Sequence, residues 1–187
     1  MKERRYVEKV LAGNSSAFAY FVNNYQGMGI NIAYQICNNM QDAEDIVQES
    51  FVKAYKNLHT FRLDSKFSTW FYRIVFNTAV SHSRAKVWII DDEVESTTAG
   101  LASDINITTQ LEMNERSEVV THIIENMPKA YGLILKLFYL EEHSIKEVAE
   151  ITSLNNSNVK VMLHRARKMF KERMTKSYPE LYKERKE

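Results

Sequence analysis

The residues best suited to chemistry with another molecule lie near the end of the chain. In NNSNVKVMLHRARKMF (155–170), Val159, Leu163, Ala166 and Phe170 recur at helical spacing, and Met174 continues the stripe. Asn158, Lys160, Val161, His164, Arg165 and Lys168 point away from it. A helix of this kind fits a DNA major groove, with its first turns at base edges and its Lys and Arg at phosphates. The bland alternative is a solvated basic face. The preceding residues favour DNA. Ser144 stands three before Glu147, the pattern of a capping box, and Ile145, Val148, Ala149 and Ile151 form a short apolar stripe. Thr152–Ser153–Leu154 makes a turn, and Asn155 suits the next N-cap. A short helix, a tight turn and a longer basic helix read as helix-turn-helix.

A second segment, FRLDSKFSTWFYRIVFNTAV (61–80), interleaves Phe61, Phe67, Trp70, Phe71, Tyr72 and Phe76 with Arg62, Lys66, Arg73 and, further on, Arg84. Unpaired bases stack on aromatic faces while cations follow the backbone. Arg73, Asn77, Ser81 and Arg84 fall on one side of the helix. Trp70, Phe71 and Ile74 are read as core; Arg62, Lys66, Arg73 and Asn77 are read as a nucleic-acid face.

A third segment, 42–55, puts Asp45, Gln48 and Glu49 on the outer face of a helix. Such a face is ordinarily solvated, but it can also dock a basic partner helix. A carboxylate metal site built from Asp42, Asp45 and Glu49 is a third option, and a metal-dependent nuclease would be its consequence. No His lies in that helix to complete a mixed-ligand set, and no nucleophile pairing is nearby. His59, His82, His122 and His143 have no ligand spacing, Cys37 reads as apolar filler, and no phosphate loop, dinucleotide fingerprint or catalytic triad is present. The sequence therefore predicts no catalytic residue, no metal and no cofactor.

The elements that must position these residues are helical throughout. Ala17, Phe18, Phe21, Val22, Tyr25, Met28, Ile32 and Ile36 form one stripe, in which Gly27 and Gly29 allow a bend or break. Ala43, Ile46, Val47, Phe51, Ala54 and Tyr55 form a second, with Asn39 as its cap. Phe67, Trp70, Phe71, Ile74, Val75 and Thr78 form a third after a turn at 58–65. IIDDEVESTTAGLASDINITTQ (89–110) has no stripe and reads as a linker. Helical pattern resumes near Leu111, Pro128 suits the first turn of a new helix, and Ile134, Leu135, Leu137, Phe138 and Leu140 follow. The tail after Met174 is charged and broken by Pro179.

Charge divides the 187 residues in the same way. The net charge of +1 conceals +4 in 1–86, −7 in 87–115 and +4 in 116–187. A single cysteine excludes an internal disulfide, and 44% apolar residues suffice for a core. The uncharged run from Val10 to Gln41 is too rich in Asn, Gln, Ser and Gly for a membrane span. MKERRYVEKV lacks the apolar run of a signal peptide. The expectation is a soluble, cytoplasmic, all-α protein of two small helical domains: 1–88, an acidic linker 89–110, and 111–187 with the helix-turn-helix and the tail.

In this order and spacing the chain resembles the extracytoplasmic-function (group IV) sigma factors of bacterial RNA polymerase. DAEDIVQESFVKAY (42–55) is similar to the helix that docks on the polymerase clamp helices. FRLDSKFSTWFYRIVFNTAV (61–80) is similar to the minus-ten recognition and melting segment, and 144–170 to the minus-35 helix-turn-helix. With AFAYFVNNY, the likeness covers most of 15–174. The resemblance implies that Asp45, Gln48 and Glu49 contact core RNA polymerase. It implies that Asn77 and the loop Arg62 to Lys66 capture a flipped base of the unpaired minus-ten strand, and that Lys160, His164 and Arg165 read duplex promoter DNA. Many members have Gly-Thr where this chain has Ser157–Asn158, and Arg where it has Met162, which removes a phosphate or guanine contact. Also implied are a non-enzymatic, dissociable initiation subunit, an anti-sigma partner and no stable homo-oligomer. The rival is a stand-alone helix-turn-helix regulator, which explains 144–174 but not 42–77.

Overall fold

The computed structural model describes residues 2–83 and 113–179. The expected linker 89–110, Arg84 and the last residues of the tail lie outside them. Among the described residues every regular element is helical, and the contacts divide them into two compact units.

The first unit is built on α1 (Lys2–Leu11), α2 (Ala19–Cys37), α3 (Met40–Lys56) and α4 (Phe67–His82), with short 3₁₀ turns at Ser15–Phe18 and Leu58–Thr60. Helices α2, α3 and α4 pack on one another around an aromatic centre. Phe21 lies 4.1 Å from Phe67, and Phe51 lies 4.3 Å from Phe71, between ring centroids. Phe21, Phe67 and Phe71 are fully buried, each contributing ~1.5–3 kcal/mol of apolar burial.

Helix α2 does not break at its glycines. Gly29 is buried where α2 meets α3 and α4, and a Cβ there would sit 3.4 Å from Val47 Cγ1 and 3.5 Å from Phe71 Cε1. The glycine permits close approach, and the packing it permits offsets its poor helix propensity. The α2–α3 corner uses two asparagines. Asn38 takes the left-handed conformation (φ 59°) and donates its N–H to Tyr34 O at 2.8 Å, a role Asn tolerates better than most L-residues. The Asn39 side chain accepts from Gln41 N at 2.9 Å and Asp42 N at 3.3 Å, the expected cap.

In the second unit α6 (Lys129–Leu135) packs on α8 (Asn156–Ser177), and α5 (Met113–Glu125) touches both. Pro128 stands at the N-cap of α6, and its carbonyl accepts from Tyr131 N and Gly132 N at 3.0 and 3.1 Å. The stripe from Ile134 to Leu140 is not one α-helix. After Leu135 the chain widens into a π turn at Lys136–Leu140, closed by Glu141 N to Lys136 O at 3.1 Å. Leu133 to Leu135 and Leu137 remain buried, whereas Leu140 is turned out and 51% exposed.

Helix α7 (Ile145–Thr152) begins directly after Ser144 and ends in a turn that leads into α8. Ser153 is left-handed (φ 58°) and Leu154 N donates to Ala149 O at 3.1 Å. That bond satisfies a carbonyl at the helix end. Asn155 then caps α8, its side chain accepting from Asn158 N at 2.7 Å.

Candidate functional site

Three helices carry most of the expected residues, each on the side opposite its buried stripe, and Arg62 and Lys66 lie in the segment before α4. On α3, Ala43, Ile46, Val47, Ser50, Phe51 and Ala54 face inward. Asp45 and Gln48 are exposed. Glu49 is partly exposed and already engaged. It pairs with Lys53 Nζ at 2.8 Å and His82 Nε2 at 2.7 Å, while Lys53 Nζ donates to Thr78 Oγ1 at 3.1 Å. Hydrogen bonds from Lys53 and then His82 hold the Glu49 carboxyl below its ordinary range. Glu49 therefore ties α3 to the last turn of α4.

The α3 face extends further than the sequence indicates. Tyr55, expected in the buried stripe, is 43% exposed, and Val52 is 52% exposed. Asp45, Gln48, Val52 and Tyr55 follow one another at steps of three, four and three and so share a face. Val52 lies outside the apolar stripe, and that displacement was the signal available in the sequence.

On α4 the aromatic residues sort by helical phase. Phe61, Phe67, Phe71, Tyr72 and Phe76 are buried, and Trp70 is half-buried against Phe61 and Phe67, at 5.2 and 5.5 Å. The first five rings are core, as expected for Phe71, and the stacking role open to Phe61, Phe67, Tyr72 and Phe76 is excluded by their burial. Tyr72 and Phe76 sit on the inner side because α4 packs on both α2 and α3. What remains outside is polar: Arg62 and Lys66 in the segment before α4, and Arg73 and Asn77 one turn apart on it, are all exposed. Ser81, one turn on, bonds Asn77 O at 2.8 Å. Leu63, between Arg62 and Lys66, has φ 60° and a 41% exposed side chain.

On α8, Lys160, His164, Arg165 and Lys168 are exposed, and Asn158 is half-buried at the first turn. Met162 is only 4% exposed. It belongs to the packed face, so the substitution noted there concerns the core and not a lost DNA contact. Two other cations of α8 are structural. Arg167 Nε donates to Tyr139 OH at 2.6 Å, and its guanidinium lies 5.8 Å from the Phe138 ring centre. Arg173 donates to Asn126 O. These bonds pin α8 to the π turn and to the end of α5. Cys37 is only half-buried, its Sγ donating to Asn39 O at 3.2 Å. Among the described residues no three His, Cys, Asp or Glu side chains are gathered to hold a metal ion, and no helix is long and apolar enough to cross a membrane.

A capped helix-turn-helix in a chain that also presents a polar, cationic helix face describes a modular nucleic-acid-binding protein. The comparisons with known proteins narrow the class. Residues 21–89 match the family described as Sigma-70 region 2, and 117–170 match Sigma-70, region 4. The chain is 31% identical to the ECF RNA polymerase sigma factor SigW of Bacillus subtilis, over 93% of this chain and 97% of that one. It is 30% identical to the ECF RNA polymerase sigma-E factor of Haemophilus influenzae, over 93% and 96%. The fold is similar to CnrH, solved in complex with the cytosolic domain of CnrY (TM-score 0.63, 19% identity, 93% and 97% covered). It is also similar to the sigma factor RpoE of Bartonella quintana, solved with the anti-sigma factor NepR (TM-score 0.59, 18% identity, 86% and 98% covered).

The chain belongs to the extracytoplasmic-function group of the sigma-70 family. It is a transcription initiation factor. A stand-alone regulator is not favoured, because the likeness runs through both units and is not confined to the helix-turn-helix.

Proposed function

We propose that the chain is a dissociable, non-enzymatic specificity subunit acting in the cytoplasm, with residues 1–88 and 111–187 as its working domains and 89–110 as their linker. It binds core RNA polymerase through the outer face of α3, with Asp45 and Gln48 offered to the partner and Glu49 contributing charge while holding α4. Arg62, Lys66, Arg73 and Asn77 contact the unpaired minus-ten strand. Asn158, Lys160, His164, Arg165 and Lys168 contact duplex DNA at minus-35, the exposed cations mainly at phosphates. An anti-sigma factor is the natural antagonist, since the fold neighbours CnrH and RpoE were solved with bound partners. Nucleotide addition belongs to the polymerase.

The observation that carries this reading is the sorting of side chains. The site residues on α3, α4 and α8 lie on the opposite side of each helix from the core and are reached without unfolding its unit, while Glu49 and Lys66 are already held in ion pairs. The test is gel filtration of the purified chain with bacterial core polymerase, wild type beside Asp45→Arg. Co-elution that the charge reversal weakens supports both the function and the docking face. Co-elution that it leaves intact moves the docking face elsewhere. A folded chain that fails to co-elute at micromolar concentration overturns the proposal.

A further inference from the structure

Helix α1 lies before the region 2 match, which begins at residue 21, and carries none of the proposed contact residues. Its Val7 and Val10 are buried, Tyr6 stacks on Tyr20 at 4.0 Å, and Lys9 Nζ lies 5.5 Å from the Tyr6 ring centre. This attachment brings Glu3 to a specific place. One carboxylate oxygen accepts from Tyr25 OH, and the other accepts the backbone N–H of Phe67 at 3.4 Å.

Phe67 is the first residue of α4, and its N–H is one that no intrahelical carbonyl can reach. Lys66, at the N-cap, supplies no side-chain cap, and the first turn of α4 has no acidic residue. Glu3, 64 residues earlier, supplies both an acceptor and a negative charge at the positive end of the α4 dipole. Helix α1 also packs against the 3₁₀ turn Leu58–Thr60. It therefore holds the segment 61–66 on both sides, at the turn that enters it and at the helix start that leaves it. Between these supports are exposed Arg62 and Lys66, with Leu63 in a left-handed conformation. An L-residue keeps such a conformation only where its surroundings impose it.

We infer that α1 is a brace for the Arg62–Lys66 loop and that Glu3 is its positioning residue, setting the loop for promoter opening without touching DNA. The inference rests on the proposed minus-ten role of that loop. Burial and the adjacent Glu3 carboxylate also keep the Tyr25 hydroxyl protonated far above the ordinary phenol range, so Tyr25 stays a donor to Glu3.

The test uses the full chain assembled with core polymerase. Its probe is duplex DNA selected from a randomised library by the wild-type holoenzyme, with opening followed by permanganate reactivity. Glu3→Gln and Glu3→Ala are compared with Arg62→Ala, and hydrogen exchange is read in parallel over 61–68. The expected result is core binding within about twofold of wild type, opening slowed about fivefold, and faster exchange confined to 61–68. Normal opening by both Glu3 variants, with Arg62→Ala slow, overturns the brace. Exchange accelerated equally throughout α2 and α3 also overturns it, because Glu3 would then serve only general stability. If Arg62→Ala opens normally, the minus-ten role of the loop fails instead, and the exchange pattern alone decides whether Glu3 positions the segment.

Discussion

Helices α4 and α8 both mix apolar residues with cations, yet they divide fold from function differently. Helix α4 buries Phe67, Thr69, Phe71, Tyr72, Val75, Phe76, Thr78 and Ala79, half of its 16 residues, because α2 and α3 both cover it. Helix α8 buries Val159, Met162, Leu163, Ala166 and Phe170 out of 22 residues. A helix covered on two sides leaves a narrow outer face, and most substitutions on it disturb packing. A helix covered along one stripe can change its outer residues freely. Substitutions in α8 should therefore separate binding from stability more cleanly than substitutions in α4.

The largest contrast is expected in the cores. Phe71 is fully buried between α2 and α3, with ring contacts to Phe51 and Phe67, whereas Phe170 is 8% exposed towards the end of α8. Phe71→Ala should destabilise the first unit by ~3–5 kcal/mol, and Phe170→Ala should fall at or below the lower end of that range. Urea denaturation followed by circular dichroism measures both. Equal losses would show that α8 is as deeply set as α4 and would break the comparison.

The next effect is on binding. Arg165→Ala and Lys160→Ala on α8 should each leave stability within ~0.5 kcal/mol. Each should also lower the slope of log affinity against log salt for duplex DNA by about 1. The measurement is holoenzyme binding to duplex DNA across a salt series. On α4 the matching variant is Arg73→Ala, with the same small stability change and slower promoter opening. A loss of stability from Arg73→Ala would mean that the outer face of α4 is structural, and the proposed minus-ten contact would move to Arg62, Lys66 and Asn77.

The same contrast explains what could be read from the sequence. The capped start of α3 at Asn39, the turn at 152–154 and the Asn155 cap of α8 were legible, because each depends on residues within three or four positions. Lys160, His164, Arg165 and Lys168 on the outer side of α8 were legible from its single stripe, but the burial of Met162 was not. Apart from Phe71, the depth of the α4 rings was not legible, since aromatic side chains beside cations suit a stacking surface and a core equally until the covering helices are known. The continuity of α2 through Gly27 and Gly29 depends on Val47 and Phe71, and the second partner of Glu49 is His82, 33 residues on. The π turn has no local signal at all: its residues continue the apolar spacing of α6 while the backbone widens beneath them.

Gly27 offers a smaller and cleaner test of that override. It is exposed in the middle of α2 and a Cβ there would meet nothing within 4 Å, unlike Gly29. Gly27→Ala should therefore stabilise the first unit by ~0.5–1 kcal/mol, from helix propensity and reduced unfolded-state freedom alone. Gly29→Leu should destabilise it, because the side chain would have to displace Val47 and Phe71. Thermal unfolding of the two variants decides, and a stabilising Gly29→Leu would show that the α2–α3–α4 contact is looser than its distances indicate.

The smallest effect concerns the bond that joins the proposed docking face of α3 to α4. Lys53 and His82 hold the Glu49 carboxyl below its ordinary range, so the folded state favours the ionised form more than the unfolded state does. The resulting stability is present above the ordinary carboxylate pKa and is lost as pH falls through the depressed folded value. Glu49→Gln should therefore melt slightly below wild type at pH 7, by no more than the ~0.2–1 kcal/mol typical of exposed pairs. The two proteins should converge as the pH falls through and below that depressed value. The comparison with α8 sharpens if Glu49→Gln also weakens core polymerase binding at pH 7 while Lys53→Met, which removes one of its partners, lowers stability without weakening binding. Glu49 would then serve the partner as well as the α3–α4 joint. If both variants lower stability and neither weakens binding, Glu49 is a strut, and the docking face of α3 begins with Asp45 and Gln48 and continues along Val52 and Tyr55.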